Sequence, residues 1–222
     1  MIIRRINHKY KNFELDIDNL EIGSNKIIGL IGENGAGKTT LMDILSKMIK
    51  ANAGFDVQDY NENDILYIPS QVSPYYFLTV SEFCKIVNEY SPSSKTSEDL
   101  LVELGLEDKK DTLISELSEG MKKKLTLINI LAGDYSLIIM DEPFNSIDLK
   151  YSYEIKKLIL QLKENSTILI SSHILDSLID ICDEFVLLKN GKVKKVFANS
   201  RDKKQLEDEI FDKRQSGYEV TI

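Results

Sequence analysis

The stretch Gly32-Glu33-Asn34-Gly35-Ala36-Gly37-Lys38-Thr39-Thr40 constrains this chain more than any other. It fits the pattern G-x-x-x-x-G-K-[ST], and its neighbours are those the pattern requires. Before it runs Ile27-Ile28-Gly29-Leu30-Ile31, a short apolar stretch that reads as a buried strand. After it, Leu41, Ile44, Leu45, Met48 and Ile49 recur at i, i+3, i+4, i+7 and i+8, the stripe of an amphipathic helix. Strand, glycine-rich loop and helix in that order build an anion site. Glycines let backbone N–H groups converge on phosphate oxygens, and the helix directs its positive end at the same place. An ordinary glycine-rich turn would need neither neighbour. In such a site Asn34, Gly35, Ala36, Gly37, Lys38, Thr39 and Thr40 surround the phosphates of a nucleotide. Lys38 reaches the β- and γ-phosphates, and the Thr39 hydroxyl binds Mg²⁺.

Strand and helix signals alternate again downstream. Leu137 to Met140 and Thr167 to Ile170 read as strands, separated by a helix with Ile155, Leu158, Ile159 and Leu162 on one face. A further helix with Leu175, Leu178, Ile179 and Cys182 precedes a strand at Glu184 to Leu188 and a turn at Lys189-Asn190-Gly191. This order predicts a largely parallel sheet with helices on its faces. Ile2 to Leu30 reads instead as short strands with turns at Asn19 to Gly23 and Gly23 to Lys26. Between Tyr75 and Asp134 helical spacing dominates, with a polar break at Ser91 to Ser97, which predicts a separate helical lobe. Arg201 to Arg214 is rich in charge and reads as an exposed helix.

Composition excludes several classes. With 28 Lys plus Arg against 36 Asp plus Glu, the 222-residue chain carries a formal charge of -8, so general attraction to nucleic acid is not expected. The first residues lack the apolar core of a secretory signal, and no run approaches the roughly 20 apolar residues that span a bilayer, so a cytosolic protein is expected. Cys84 and Cys182 lie far apart with only two histidines in the chain, which argues against a zinc site and a disulfide framework. Both read as buried apolar residues.

A second constellation follows Leu137-Ile138-Ile139-Met140, where Asp141 and Glu142 form a Walker B arrangement at a strand's C-terminal end. That is where α/β sheets bind ligands. Asp141 is expected to hold Mg²⁺, through water because the ion dehydrates reluctantly, and Glu142 to polarise an attacking water.

Leu117-Ser118-Glu119-Gly120-Met121-Lys122 resembles the LSGGQ signature of the ATP-binding cassette (ABC) ATPases, with Ser118 23 positions before Asp141. The resemblance runs from about Tyr10 to Val193 and is to the nucleotide-binding subunit of a membrane transporter. Glu119 and Met121 depart from the signature. Ser118 and Gly120 keep the hydroxyl and bare backbone that, in the family, face the γ-phosphate held by the opposite subunit. Asn145-Ser146-Ile147-Asp148 is similar to the family's D-loop, with Asp148 as the residue carried over. His173, in Ile170-Ser171-Ser172-His173, matches the switch histidine that contacts the γ-phosphate. Tyr10, 28 positions before Lys38, resembles the adenine-stacking aromatic. Counting back from Leu78-Thr79-Val80 puts the Q-loop glutamine at Ser70, one residue before the glutamine present. Gln71 is therefore assigned to nucleotide and Mg²⁺ across a one-residue shift.

The resemblance implies an α/β fold: a P-loop NTPase (RecA-like) core with a mainly parallel sheet, an N-terminal antiparallel β subdomain and an inserted α-helical subdomain. The implied division is 1–71 with 136–195 for the β subdomain and core, 72–135 for the helical signature subdomain, and 196–222 for a C-terminal tail. It also implies ATP hydrolysis with Mg²⁺, a second ABC ATPase subunit as head-to-tail partner (a homodimer), and a transmembrane permease subunit docked on the helical lobe near Val72 to Glu89, with Tyr75, Tyr76 and Phe77 as part of the surface. The chain would then sit peripherally on the inner face of the cell membrane. The short chain and variant signature look like the export branch for drugs, peptides or lipids. A soluble single-cassette ATPase, as in iron–sulfur assembly, and a nucleotide-dependent regulatory module stand as alternatives. Glu142 and His173 argue against the latter.

Overall fold

The computed structural model describes residues 1–10, 12–59, 61–70, 75–90, 95–145 and 147–211. The chain opens with two nine-residue strands, β1 (Ile2–Tyr10) and β2 (Phe13–Glu21), followed by β3 (Ile27–Ile31), the glycine-rich loop and α1 (Lys38–Leu45). Next come β4 (Gly54–Gln58) and β5 (Ile65–Ile68). Four helices follow: α2 (Val80–Tyr90), α3 (Ser97–Leu104), α4 (Glu119–Thr126) and α5 (Ile128–Leu131). The remainder alternates: β6 (Leu137–Met140), α6 (Leu149–Leu162), β7 (Thr167–Ser171), α7 (Leu175–Leu178), β8 (Glu184–Lys189), β9 (Lys192–Ala198) and α8 (Lys203–Phe211).

Among the described residues the strands form two sheets. One is antiparallel, in the order β2-β1-β4; the other runs β5-β6-β7-β3-β8-β9 and is parallel except for β9. The expected fold class is therefore present. In the large sheet both faces are covered, which is why its strands read as unbroken apolar runs. Ile28, Leu30, Leu137, Ile139 and Leu169 pack toward α1 and the antiparallel sheet. Ile27, Ile31, Ile138, Met140, Ile168 and Ile170 pack toward the helices on the other face.

The helices between β5 and β6 build the expected helical lobe. On α2 the residues Val80, Phe83, Cys84 and Val87 recur at helical spacing and are buried. On α3 a capping box between Thr96 and Asp99 starts the helix and Gly105, at φ 60°, ends it. Both cysteines are buried and unpaired.

Several local expectations shift. The helix after the glycine-rich loop ends at Leu45, with Ser46 as its C-cap and Lys47 at φ 63°, so Met48 of the expected apolar stripe is 69% exposed. The strand β2 runs on through Asn19, which takes φ 52° inside it, because Leu20 is buried. The Arg201–Arg214 helix is not wholly exposed: Leu206 on α8 is buried in the core.

The turn between β8 and β9 is a two-residue hairpin with Asn190 at φ 49° and Gly191 at φ 73°. Its tip is wedged against two other elements. The N–H of Gly191 donates to the Ala36 carbonyl at 3.0 Å, and its carbonyl accepts from the Asp16 N–H at 2.8 Å. A β-carbon at Gly191 would stand 1.9 Å from the Glu14 carbonyl oxygen.

Candidate nucleotide site

Strand order decides what meets at the sheet edge. β5, β6, β7 and β3 are consecutive neighbours. Ser70, Asp141 and Glu142, Ser172 and His173, and the loop from Gly32 therefore all lie beyond the C-terminal ends of adjacent strands. This is the edge at which α/β sheets bind ligands.

The loop keeps its shape through Gly35 at φ 81° and Gly37 at φ 104°, the latter serving as N-cap of α1. At Gly37 a β-carbon would fall 2.8 Å from Cζ of Phe13, so only glycine fits there. The Lys38 ammonium is buried inside the loop and donates to the carbonyls of Gly32 at 2.7 Å and Glu33 at 3.3 Å.

Across the loop, Thr39 Oγ1 donates to Asp141 Oδ2 at 2.9 Å. The hydroxyl of Ser171 donates to the other Asp141 oxygen and accepts from the Glu142 N–H at 2.8 Å. Glu142 itself takes φ 50°, unusual for a residue with a side chain, and its Oε2 lies 2.9 Å from His173 Nδ1. Beneath these groups Asp43 of α1 accepts from the Tyr67 hydroxyl at 2.9 Å. Burial raises the pKa of Asp43, the Tyr67 hydrogen bond opposes that, and the nearby charge of Asp141 adds to it.

A cleft of about 470 Å³ is lined by Phe13, the loop from Asn34 to Thr40, Ser70, Asp141 and Glu142. Thr39, Asp141 and the open cleft beside them offer hard oxygen donors suited to Mg²⁺, which needs few protein ligands when phosphates and water complete its shell. No cluster of three or more His, Cys, Asp or Glu among the described residues is placed to hold a metal alone.

Of the residues singled out from the sequence, Asn34, Gly35, Ala36, Gly37, Lys38, Thr39, Thr40, Asp141 and Glu142 meet in or beside this cleft, and His173 joins through Glu142. Tyr10 is half exposed at the end of β1, its ring centroid 6.3 Å from that of Phe13, and it is Phe13 that reaches the cleft wall. Ser118 does not line the cleft and is the exposed N-cap of α4, accepting from the Met121 N–H at 3.3 Å, with Gly120 two residues on in the first turn. Asp148 caps α6 by accepting from the Tyr151 N–H at 2.8 Å. Gln71 and Ser146 lie outside the described residues. Phe77 is 74% exposed, while Tyr75 turns its ring toward Phe83 at 5.2 Å between centroids.

The sequence reading missed Phe13 and Ser171. The signal for Ser171 was its place two residues before His173, on the strand adjoining the one that leads into Asp141.

The profile of the ABC transporter family matches residues 15–145, and the chain belongs to that family. Among relatives, it is 28% identical over 181 residues to the ABC transporter ATP-binding protein YxlF of Bacillus subtilis, covering 78% of this chain and 61% of YxlF. It is 32% identical over 215 residues to the petrobactin import ATP-binding protein YclP of the same species, covering 87% and 84% of the two chains. It is 28% identical over 203 residues to the lipopolysaccharide export ATP-binding protein LptB of Haemophilus influenzae, covering 83% and 84%. A solved ATP-binding subunit of an ABC transporter superposes with a TM-score of 0.79 at 24% identity, covering 97% of this chain and 99% of that one. This last likeness speaks to the fold. No helix among the described residues is long and apolar enough to cross a membrane.

Proposed function

We propose that this chain binds ATP and hydrolyses it by in-line attack of water on the γ-phosphate, as the nucleotide-binding subunit of an ABC transporter. The observation that carries the reading is the meeting of Thr39, Asp141, Glu142 and His173 at one sheet edge, with Thr39 Oγ1 2.9 Å from Asp141 and His173 Nδ1 2.9 Å from Glu142.

The roles follow from position. Backbone N–H groups from Asn34 to Thr40 bind the phosphates, and the Lys38 ammonium exchanges its carbonyl partners for β- and γ-phosphate oxygens. Thr39 and Asp141 hold Mg²⁺, which when bound draws charge from the phosphate oxygens. Glu142 orients the attacking water and accepts its proton. His173 fixes the Glu142 carboxylate and meets the γ-phosphate. Tyr10, with Phe13 beneath it, faces the adenine, and Gln71 is assigned to the nucleotide and Mg²⁺ on the family resemblance alone. Ser118 and Gly120 are not among the residues that line this chain's own cleft. This supports a head-to-tail pair of cassettes in which they and Asp148 complete the partner's site.

Closure of that pair on ATP and its reopening after hydrolysis would drive a transmembrane permease from the inner face of the membrane, through the surface around Phe77. Export of a drug, peptide or lipid is the direction we assign. LptB's export role supports it and YclP's import role speaks against it, so transport of a labelled amphiphile into inside-out vesicles carrying the chain and its permease decides. The hydrolytic reading is tested by steady-state ATPase activity as the chain's concentration is raised, with Lys38→Ala as background. Specific activity that climbs with concentration is expected. Activity indistinguishable from Lys38→Ala at every concentration, with the permease present, overturns the reading.

A further inference from the structure

The helical lobe and the acidic edge of the large sheet face each other across a cavity of about 310 Å³, with α4 on one wall and Asp141 and Glu142 on the other. One side chain bridges the two walls directly. Lys123, in the middle of α4, extends to the turn that follows β6. There its ammonium donates to the Asn145 carbonyl and, at 3.4 Å, to the Glu142 carbonyl. These two carbonyls sit at the ends of a tight turn that is closed by the Asn145 N–H donating to Glu142 O at 3.2 Å.

The turn needs holding. Glu142 has φ 50°, and a residue with a β-carbon stays in that region only when its surroundings impose it. On the N–H side Ser171 imposes it, through the hydrogen bond to the Glu142 amide. On the carbonyl side Lys123 donates to the turn beside its own backbone. Burial lowers the pKa of Lys123 while the charges of Glu142 and Glu119 raise it, so the ammonium is partly desolvated and its hydrogen bonds to carbonyls gain strength.

We propose that Lys123 is a positioning residue for hydrolysis: its ammonium clamps the Glu142–Asn145 turn from the carbonyl side and ties the aim of the Glu142 carboxylate to the seating of α4. Because Ser118 is the N-cap of α4, a shift of that helix terminus reaches the water-orienting carboxylate through the Lys123 side chain. The inference rests on Glu142 being the base.

The test compares Lys123→Met, which keeps the length and apolar stem, with Lys123→Arg, which keeps the charge and donors. In the full chain, Lys123→Met is expected to lower kcat by roughly ten- to a hundredfold, the scale of a small misplacement of a catalytic group, with KM for ATP within about twofold. Lys123→Arg is expected to restore most of the loss. Hydrogen–deuterium exchange of the peptide spanning 141–148 should quicken in Lys123→Met and return in Lys123→Arg. Unchanged kcat and unchanged exchange in Lys123→Met overturn the clamp, as does a thermal midpoint that falls with exchange rising throughout the chain. If the wild-type chain turns over no ATP, the hydrolytic reading fails by itself, and exchange over 141–148 alone decides for or against the clamp.

Discussion

The imidazole of His173 and the carboxylate of Glu142 are in hydrogen-bond contact, Nδ1 to Oε2 at 2.9 Å, although the two residues belong to loops after different strands. The pair exists because β6 and β7 are neighbours in register, Met140 beside Ile170, which brings the residues beyond both strands together. The carboxylate is thereby oriented within the chain itself.

Replacing Glu142 by Gln keeps shape and removes the proton acceptor. Turnover is expected to fall about 10²–10⁴-fold, the usual worth of a general base, while ATP affinity measured by a fluorescent analogue stays within a few-fold. Residual turnover within tenfold of wild type would show that another group takes the proton.

Ser171→Ala removes the hydroxyl that serves both Asp141 and the Glu142 amide. With Asp141 buried, losing a partner is expected to cost about 1–3 kcal/mol of stability, read as a lower midpoint in urea. Turnover should fall with it, because Asp141 and Glu142 lose their common brace.

Thr39→Ala should raise the Mg²⁺ concentration needed for half-maximal turnover, whereas Thr39→Ser, which keeps the hydroxyl facing Asp141, should not. Titrating Mg²⁺ at saturating ATP distinguishes the two.

Gly191→Ala would force a β-carbon into the Glu14 carbonyl at 1.9 Å in a backbone with φ 73°. A loss of at least about 2 kcal/mol is expected from strain and overpacking. ATP affinity should weaken as well, since the Gly191 amide braces Ala36 in the phosphate loop. A variant with unchanged affinity would separate the hairpin from the loop.

Burial pushes the Cys84 thiol up from 9.0 to about 12. The folded chain thus keeps its proton where the unfolded chain releases it, so stability is expected to fall as pH rises above 9.0 toward about 12. At pH 8 both cysteines should resist alkylation until denaturant is added, which mass spectrometry of the labelled chain reads directly.

The phosphate loop and the Asp141-Glu142 pair were legible in the sequence because each is contiguous and its chemistry depends on neighbours along the chain. The same holds for Leu137 to Met140, whose burial on both faces leaves an apolar run. Phe13 and Lys123 were not legible, since each acts on a group brought near only by sheet order or by the docking of α4, and Ser171 was signalled only by its place beside His173. Periodicity also overran its helix at Met48: the apolar stripe continues, but Lys47 adopts a left-handed backbone and the chain turns away. Tyr10 was placed by spacing, yet spacing does not see that the strand pairing sets Phe13 opposite it.

The hairpin tip at Gly191 binds Asp16 of β2 on one side and Ala36 of the phosphate loop on the other. The antiparallel sheet that carries Tyr10 and the loop that carries Lys38 are therefore riveted into one body. The cleft wall formed by Phe13 and the loop that carries Lys38 thus keep a fixed separation, while the helical lobe hangs from the ends of β5 and β6 at the far edge of the large sheet.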